Sequence, residues 1–417
     1  MSDVFLSPGL RTPFVKAGGV YAHRSAIDLS VPVAKAMSDL ARPDFLVWGQ
    51  VIPDPALSNI ARELLFEAKL DPTIPAYSTI MACSTSFMGT LQAAGLIGRG
   101  GMHLGLVGGV ESMSHVAIAL KYKVAERLLG DFARDPAAAA LSLSKLSPED
   151  FDLPTKGWAN RVSGRTMGEH MEDTAKELGV SRTEQDERAL LSHRGAIAGQ
   201  DSGFFKDLII PFAGIDHDTF PRRDTSLDKL AKLPPVFDRA SGAGSITAGN
   251  SSPLTDGAAS IWVGDEEGLR RLGVKPAVKL IDWEVAAVDF RVDGMLMAPA
   301  RAIPRLLARH RVRAEEIDLW EIHEAFAAQL IANLKGASDP VYRREKARVD
   351  FDIGRFPVDR INPNGGSIAL GHPFGATGAR ILSQAVKELT AMRAGARAVV
   401  SVCADGGQGT VALLQRI

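Results

Sequence analysis

Four side chains carry the chemistry that can be read from this sequence: Cys83, Cys403, His323 and His372. The chain has 417 residues and 2 cysteines, too few to staple a fold of this size with disulfides. Both cysteines stand beside small-residue turns at the ends of apolar runs. In such a place a thiol can act as a nucleophile, or as an acid and base, because its pKa lies near working pH. Cys83 follows the apolar run 76–82 and precedes a helical pattern through Met88, Leu91 and Leu96, which predicts a strand-to-helix junction. The positive end of a helix dipole lowers a thiol's pKa. A nucleophile there needs a base to take its proton, and His323 or His372 can serve. Two thiols and two histidines are also a legal zinc set, but no pair has the close spacing of structural zinc sites.

His372 lies in NPNGGSIALGHPFGATGAR, residues 362–380, too rich in glycine for an ordinary helix or strand. This segment is expected to be a loop feeding a helix over 379–389. Free backbone N–H groups and the dipole's positive end would favour negative charge developing there.

The elements that must position these groups follow from periodicity. Helical spacing marks 25–38, 59–70, 299–310 and a stretch opened by His323 and running to about 334, while 45–52, 102–110, 258–263, 277–289, 317–322 and 398–402 read as strands. Strand and helix alternate, the mark of an α/β layer with a largely parallel sheet. The turn at Cys403 to Gly409 predicts a hairpin with the strand 410–414. Each half of the chain has a reactive residue at a turn before a helix, then a strand and a Gly-Gly turn, which suggests duplication of one α/β unit. Between them, residues 121–244 are more polar and less regular, with helices expected over 166–179 and 183–199, the second capped by Thr183 with Asp186. The expected organisation is therefore 1–120 plus 245–275, an inserted domain at 121–244, and 276–417.

Lys plus Arg (48) nearly balances Asp plus Glu (49), for a net charge of -1, so nothing points to nucleic acid or an anionic membrane surface. No stretch of about 18 apolar residues predicts a span, and the amino terminus lacks a signal pattern. A soluble cytoplasmic protein is expected.

Six motifs, in order along essentially the whole chain, carry a resemblance to the thiolase family. They are MACSTSFMG around Cys83, GGVESMS at 108–114, TAGNSSPLTDGA at 247–258, HEAFA at 323–327, the glycine-rich segment around His372, and CADGGQG at 403–409. The resemblance implies an α/β thiolase fold: two duplicated βαβαβαββ halves in five layers, αβαβα, with an inserted loop domain that binds the CoA or acyl part. It implies that Cys83 is the nucleophile that becomes acylated, that His372 activates it, and that Cys403 is the acid and base. His323 stands where most thiolases have asparagine, and the His-Glu-Ala-Phe form resembles the β-subunit branch of the trifunctional fatty-acid oxidation complex. Backbone N–H groups of Cys83 and Asp405 are expected to hold a tetrahedral oxyanion, and His372 and His323 an enolate. Ser252 resembles the serine that contacts pantetheine, and Arg222 the arginine at the adenosine end of CoA. Asp405 occupies a place where many relatives have Gly or Ala, and its carboxylate would oppose an anion unless it points away.

The implied function is thiolytic cleavage of 3-ketoacyl-CoA by CoA, giving acetyl-CoA and a shortened acyl-CoA, in fatty-acid β-oxidation. Biosynthetic condensation to acetoacetyl-CoA and a non-catalytic acyl-CoA-binding subunit are the alternatives. A subunit of that last kind would be expected to lack one of Cys83, His372 or Cys403. The resemblance implies no cofactor beyond CoA as substrate and no metal. The expected partners are CoA and its thioesters, a second copy in a homodimer or tetramer, and a β-oxidation subunit.

Overall fold

The computed structural model describes residues 2–152 and 159–417. They form two compact units, one running to His115 and resuming from Gly168 to Ile417, the other Val116–Met167. In the first unit the apolar runs become strands of one large sheet. Its order is Ala76–Tyr77, Phe45–Gln50, Leu104–Glu111, Thr255–Gly264, Phe5–Arg11, Val278–Ala287, Gln408–Arg416, Arg397–Ala404 and Leu319–Ile322.

Pairing makes the duplication visible. Phe45–Gln50 runs parallel to Leu104–Glu111, which is antiparallel to Thr255–Gly264, which is antiparallel to Phe5–Arg11. In the other half Leu319–Ile322 runs parallel to Arg397–Ala404, which is antiparallel to Gln408–Arg416, which is antiparallel to Val278–Ala287. Even the short outer contact recurs. Ala76–Tyr77 lies parallel to the first strand of one set, and Ile361 bridges Trp320 in the same sense in the other. The half-sheets join through Phe5↔Lys279 and Leu6↔Val278.

Three apolar clusters fix the layers. Helices Ala26–Ser38 and Ile60–Glu67 cover one outer face through Leu29, Val33, Leu64 and Leu65. Helix Ala298–His310 covers another through Ile303, Leu306 and Leu307, and Leu330 of Ala327–Ser338 joins it. Between the half-sheets lie helices Thr85–Gly98 and Thr377–Thr390, packed through Phe87, Leu91, Ile381 and Leu382. The sequence of layers is thus α, β, α, β, α. The two central helices approach so closely that a Cβ on Gly378 would lie 2.2 Å from the backbone nitrogen of Phe87, so only glycine fits there.

Residues 168–244, grouped by sequence texture with the insertion, are built into the first unit. Helix Arg182–Asp201 there starts earlier than the expected Thr183 cap. Ser181 caps it, accepting the Glu184 N–H at 3.2 Å while the Glu184 carboxylate accepts the Ser181 N–H at 2.7 Å. Asp186 instead accepts from Arg182 at 2.8 Å and Asn250 at 3.0 Å; those tertiary partners outcompete a local cap. The second unit is a two-stranded pairing of Ala119–Leu120 with Phe151–Asp152 and helices Tyr122–Arg134 and Pro136–Leu143. Residues 153–158 of the insertion lie outside the described residues. Among the described residues no helix is long and apolar enough to cross a membrane.

Candidate active site

Cys83 sits on a tight turn between Ala76–Tyr77 and helix Thr85–Gly98. Ala82, just before it, takes φ of +45°, a left-handed conformation that costs a residue with a Cβ and is held only when its surroundings over-determine it. Thr85 does so: its hydroxyl accepts the Met81 N–H at 2.9 Å and donates to the Ala82 carbonyl at 2.7 Å. The turn aims the partly buried sulfur at the loop that carries His372.

That loop is fixed from both sides. Gly371 has φ of +98°, and the following N–H of His372 donates to Thr255 Oγ1 at 2.9 Å. Thr377 Oγ1 donates to the Pro373 carbonyl at 2.9 Å, so its contact with His372 Nδ1 at 2.7 Å is one in which the ring donates. The remaining nitrogen, Nε2, is then an acceptor. It lies 3.1 Å from Cys83 Sγ, within reach for taking the thiol proton.

Burial controls the charge state. It pushes the Cys83 thiol up to about 12, helped by the negative charges of Asp405 and Glu111, against the N–H groups of Cys83 and Asp405 that favour the thiolate. The expected lowering by the helix terminus is therefore overturned by desolvation. His372 is pushed down to about 3 by burial and by the Arg380 guanidinium. The resting pair is thiol and neutral imidazole, and the proton must move during attack.

His323 joins them. Its ring centroid lies 4.2 Å from that of His372, and ring nitrogens of both histidines and Cys83 Sγ all fall within 4.8 Å of one another. Such a trio can ligate zinc, but the contact of Sγ with an acceptor nitrogen equally makes it a proton-transfer set. His323 precedes helix Ala327–Ser338 rather than opening it. Its N–H donates to the Ser401 carbonyl at 2.8 Å, Nδ1 meets Ser367 Oγ at 2.9 Å, and Nε2 is buried without a hydrogen-bond partner among the described residues. Burial, then His372 and Arg380, holds it well below the usual imidazole range.

Cys403 is buried in the last residues of strand Arg397–Ala404, opposite Gly409. Burial and the neighbouring Cys83 raise its thiol well above the ordinary value. The Asp405 backbone N–H reaches Cys83, so the two expected oxyanion donors face one sulfur. The Asp405 side chain folds back on its turn, where Oδ1 accepts the Gly406 N–H at 2.5 Å. Its charge is nevertheless felt at Cys83.

Ser252 lies two residues before Leu254, which bridges His372, and both its N–H and its hydroxyl donate to the Ala325 carbonyl, at 3.0 and 2.9 Å. It thus ties the 247–258 loop to HEAFA. Arg222 is exposed, with its backbone N–H on His193 Nδ1 at 3.3 Å; the neighbouring Arg223 pairs with Asp201.

Sequence reading missed the clamp beneath these residues. The buried Glu324 carboxylate accepts from Arg188 at 2.9 Å, Ser192 at 2.7 Å and Asn362 at 2.8 Å, binding HEAFA to the glycine-rich loop and to helix Arg182–Asp201. The Glu beside His323 was the one available signal.

The thiolase N-terminal domain model matches residues 4–267 and the thiolase C-terminal domain model residues 274–416. Proteins named 3-ketoacyl-CoA thiolase from Shewanella loihica and Yersinia enterocolitica are each 36% identical, over 98% of this chain and 95% of their own lengths. Among solved structures, the acetyl-CoA acetyltransferase of Bacillus anthracis aligns with a TM-score of 0.82 and 29% identity, over 100% of this chain and 99% of that one. The Acat5 thiolase of Ascaris suum, in complex with coenzyme A, aligns with a TM-score of 0.79 and 26% identity over 100% of both chains. Matched through both halves, with the two cysteines and two histidines of its motifs drawn to one place, this chain belongs to the thiolase family.

Proposed function

We propose that this protein cleaves 3-ketoacyl-CoA with CoA through an acyl-Cys83 intermediate. The observation that carries the reading is the 3.1 Å approach of Cys83 Sγ to an acceptor nitrogen of His372. As sulfur adds to the keto carbon, its proton passes to His372 Nε2, and the keto oxygen becomes an alkoxide held by the N–H groups of Cys83 and Asp405. The C2–C3 bond then breaks. Its electron pair forms the enolate of acetyl-CoA, whose thioester oxygen takes hydrogen bonds from His323 and from protonated His372. Cys403 supplies the proton to C2. Incoming CoA returns a proton to the Cys403 thiolate and attacks acyl-Cys83; the departing Cys83 sulfur regains its proton from His372. Each oxyanion donor is typically worth about 3 kcal/mol of barrier.

Condensation uses the same groups in reverse, but the names of the curated relatives favour cleavage. A role as a non-catalytic acyl-CoA-binding subunit is disfavoured because Cys83, His372 and Cys403 are all present. Ser252 is assigned to the pantetheine arm and Arg222 to the phosphate-bearing adenosine end of CoA. CoA enters as substrate, and no cofactor or metal is assigned. We further propose that it works in the cytoplasm as a homodimer or tetramer, within fatty-acid β-oxidation and beside a partner subunit. The test is thiolysis of 3-ketoacyl-CoAs of increasing chain length with CoA, and Cys83→Ser as control. Turnover that vanishes in the variant is expected; no turnover at any length, or turnover that survives Cys83→Ser, overturns the reading.

A further inference from the structure

The thiolase reading requires His323 to present a proton, yet a neutral imidazole has one proton and two nitrogens. Something must decide which nitrogen holds it. His323 Nδ1 faces Ser367 Oγ at 2.9 Å, and the same Oγ lies 2.9 Å from Arg380 Nη2. A guanidinium only donates, so Ser367 accepts from Arg380. Its own hydroxyl proton then finds a ready acceptor in an unprotonated Nδ1. The positive charge beyond it also favours a lone pair, not an N–H, on that side of the ring. The ring proton is left on Nε2, the buried atom without a hydrogen-bond partner among the described residues.

Arg380 is itself an unusual choice for packing. It is 2% exposed and its Nε has no hydrogen-bond partner among the described residues, although an unsatisfied buried polar group is costly. After burial, the strongest influence on its charge comes from Glu321, whose own carboxyl is pushed well above the usual range by burial, and Gln384 links the two, accepting from Arg380 Nη1 at 3.3 Å and donating to Glu321 Oε1 at 3.2 Å. A buried guanidinium whose Nη2 is aimed at one serine is an orienting device.

We infer that Ser367 and Arg380 are positioning residues of this reaction, holding His323 as the Nε2–H tautomer so that its one ring proton faces the thioester oxygen of the substrate. This rests on the thiolase reading but is tested apart from it. The full chain, labelled with 15N in its histidine rings and assigned with a His323→Asn variant, reports directly which nitrogen is protonated. Protonated Nε2 is expected in the unaltered protein, with loss of that preference in Ser367→Ala and in Arg380→Met. Turnover should fall by about 10- to 100-fold, the range known for groups that orient metal-binding histidines, while KM stays within about threefold, and Ser367→Thr, which keeps the hydroxyl, should restore it. A protonated Nδ1 in the unaltered protein overturns the inference. So does unchanged kcat in Ser367→Ala, or a lower kcat with the tautomer unchanged, which would mark a packing role. If the unaltered protein proves unable to cleave 3-ketoacyl-CoA, the thiolysis reading falls while the ring spectrum still decides the tautomer.

Discussion

The Glu111 carboxylate accepts the Gly375 N–H at 3.1 Å across 264 positions of sequence. It also accepts from Val51 at 3.2 Å and Ile52 at 2.9 Å, so one buried acid in the first half anchors the loop that carries His372 in the second. Burial raises its pKa from the ordinary 4.5 to about 7. A folded-state pKa above the unfolded one means that the folded protein holds the extra proton, so this contribution is full below pH 4.5 and is lost as pH rises through 7. At about 1.4 kcal/mol for each pH unit, the loss amounts to about 3 kcal/mol. Urea unfolding at a series of pH values should show this decline, and Glu111→Gln should flatten it.

Asp405 raises the Cys83 pKa, after burial and ahead of Glu111. Asp405→Asn removes the charge and keeps the shape, so the thiol should ionise at lower pH. Each pH unit of change raises the thiolate fraction about tenfold at neutral pH. Iodoacetamide inactivation, followed against pH, should be faster in the variant; an unchanged profile would mean that the carboxylate's charge does not reach the sulfur.

Arg188 and Glu324 form a buried pair at 2.9 Å. Arg188→Met leaves the carboxylate uncompensated and should cost about 3–5 kcal/mol in chemical denaturation. Adding Glu324→Leu should recover part of that loss, because removing both charges spares their desolvation while Ser192 and Asn362 lose their acceptor. Turnover should stay low in the double variant, since Glu324 adjoins His323 and ties down its loop.

Gly378→Ala forces a methyl against the Phe87 backbone and should destabilise by about 1–3 kcal/mol. Gly95, on the facing central helix, has no atom of the described residues within 4 Å of its absent Cβ beyond its own helix backbone. Gly95→Ala should therefore stabilise by roughly 0.5–1 kcal/mol. Opposite signs for two identical substitutions on paired helices would be read as shifts in denaturation midpoint.

Local signals carried much of this. The buried strands, the hairpin of Arg397–Ala404 with Gln408–Arg416 and the helix after Cys83 are written in apolar periodicity and turn residues. The echo between the halves is written in motif order, and the pairing repeats it. What escaped was non-local. Arg380 and Glu324 look like ordinary surface charges until the fold buries them, since nothing adjacent names Ser367 or Arg188 as a partner. The ionisation of Cys83 was misjudged for the same reason: the helix terminus is local, whereas the desolvation that outweighs it comes from the whole surround. The insertion was legible as a change of texture, but Gly168–Gly244 packs with the main unit through contacts that composition does not encode.

The matching order of the two half-sheets places Cys83 and His372 at corresponding points of two copies of one architecture. Had those copies remained separate identical chains, both points would carry the same residue, sulfur facing sulfur or imidazole facing imidazole. A single chain that holds both copies can set a thiol at one point and an imidazole at the other. Division of the chain between the halves, near Gly273, would therefore give one fragment with Cys83 and no His372 and another with His372 and no Cys83, and on the proposed reaction thiolysis would return only on their reassembly.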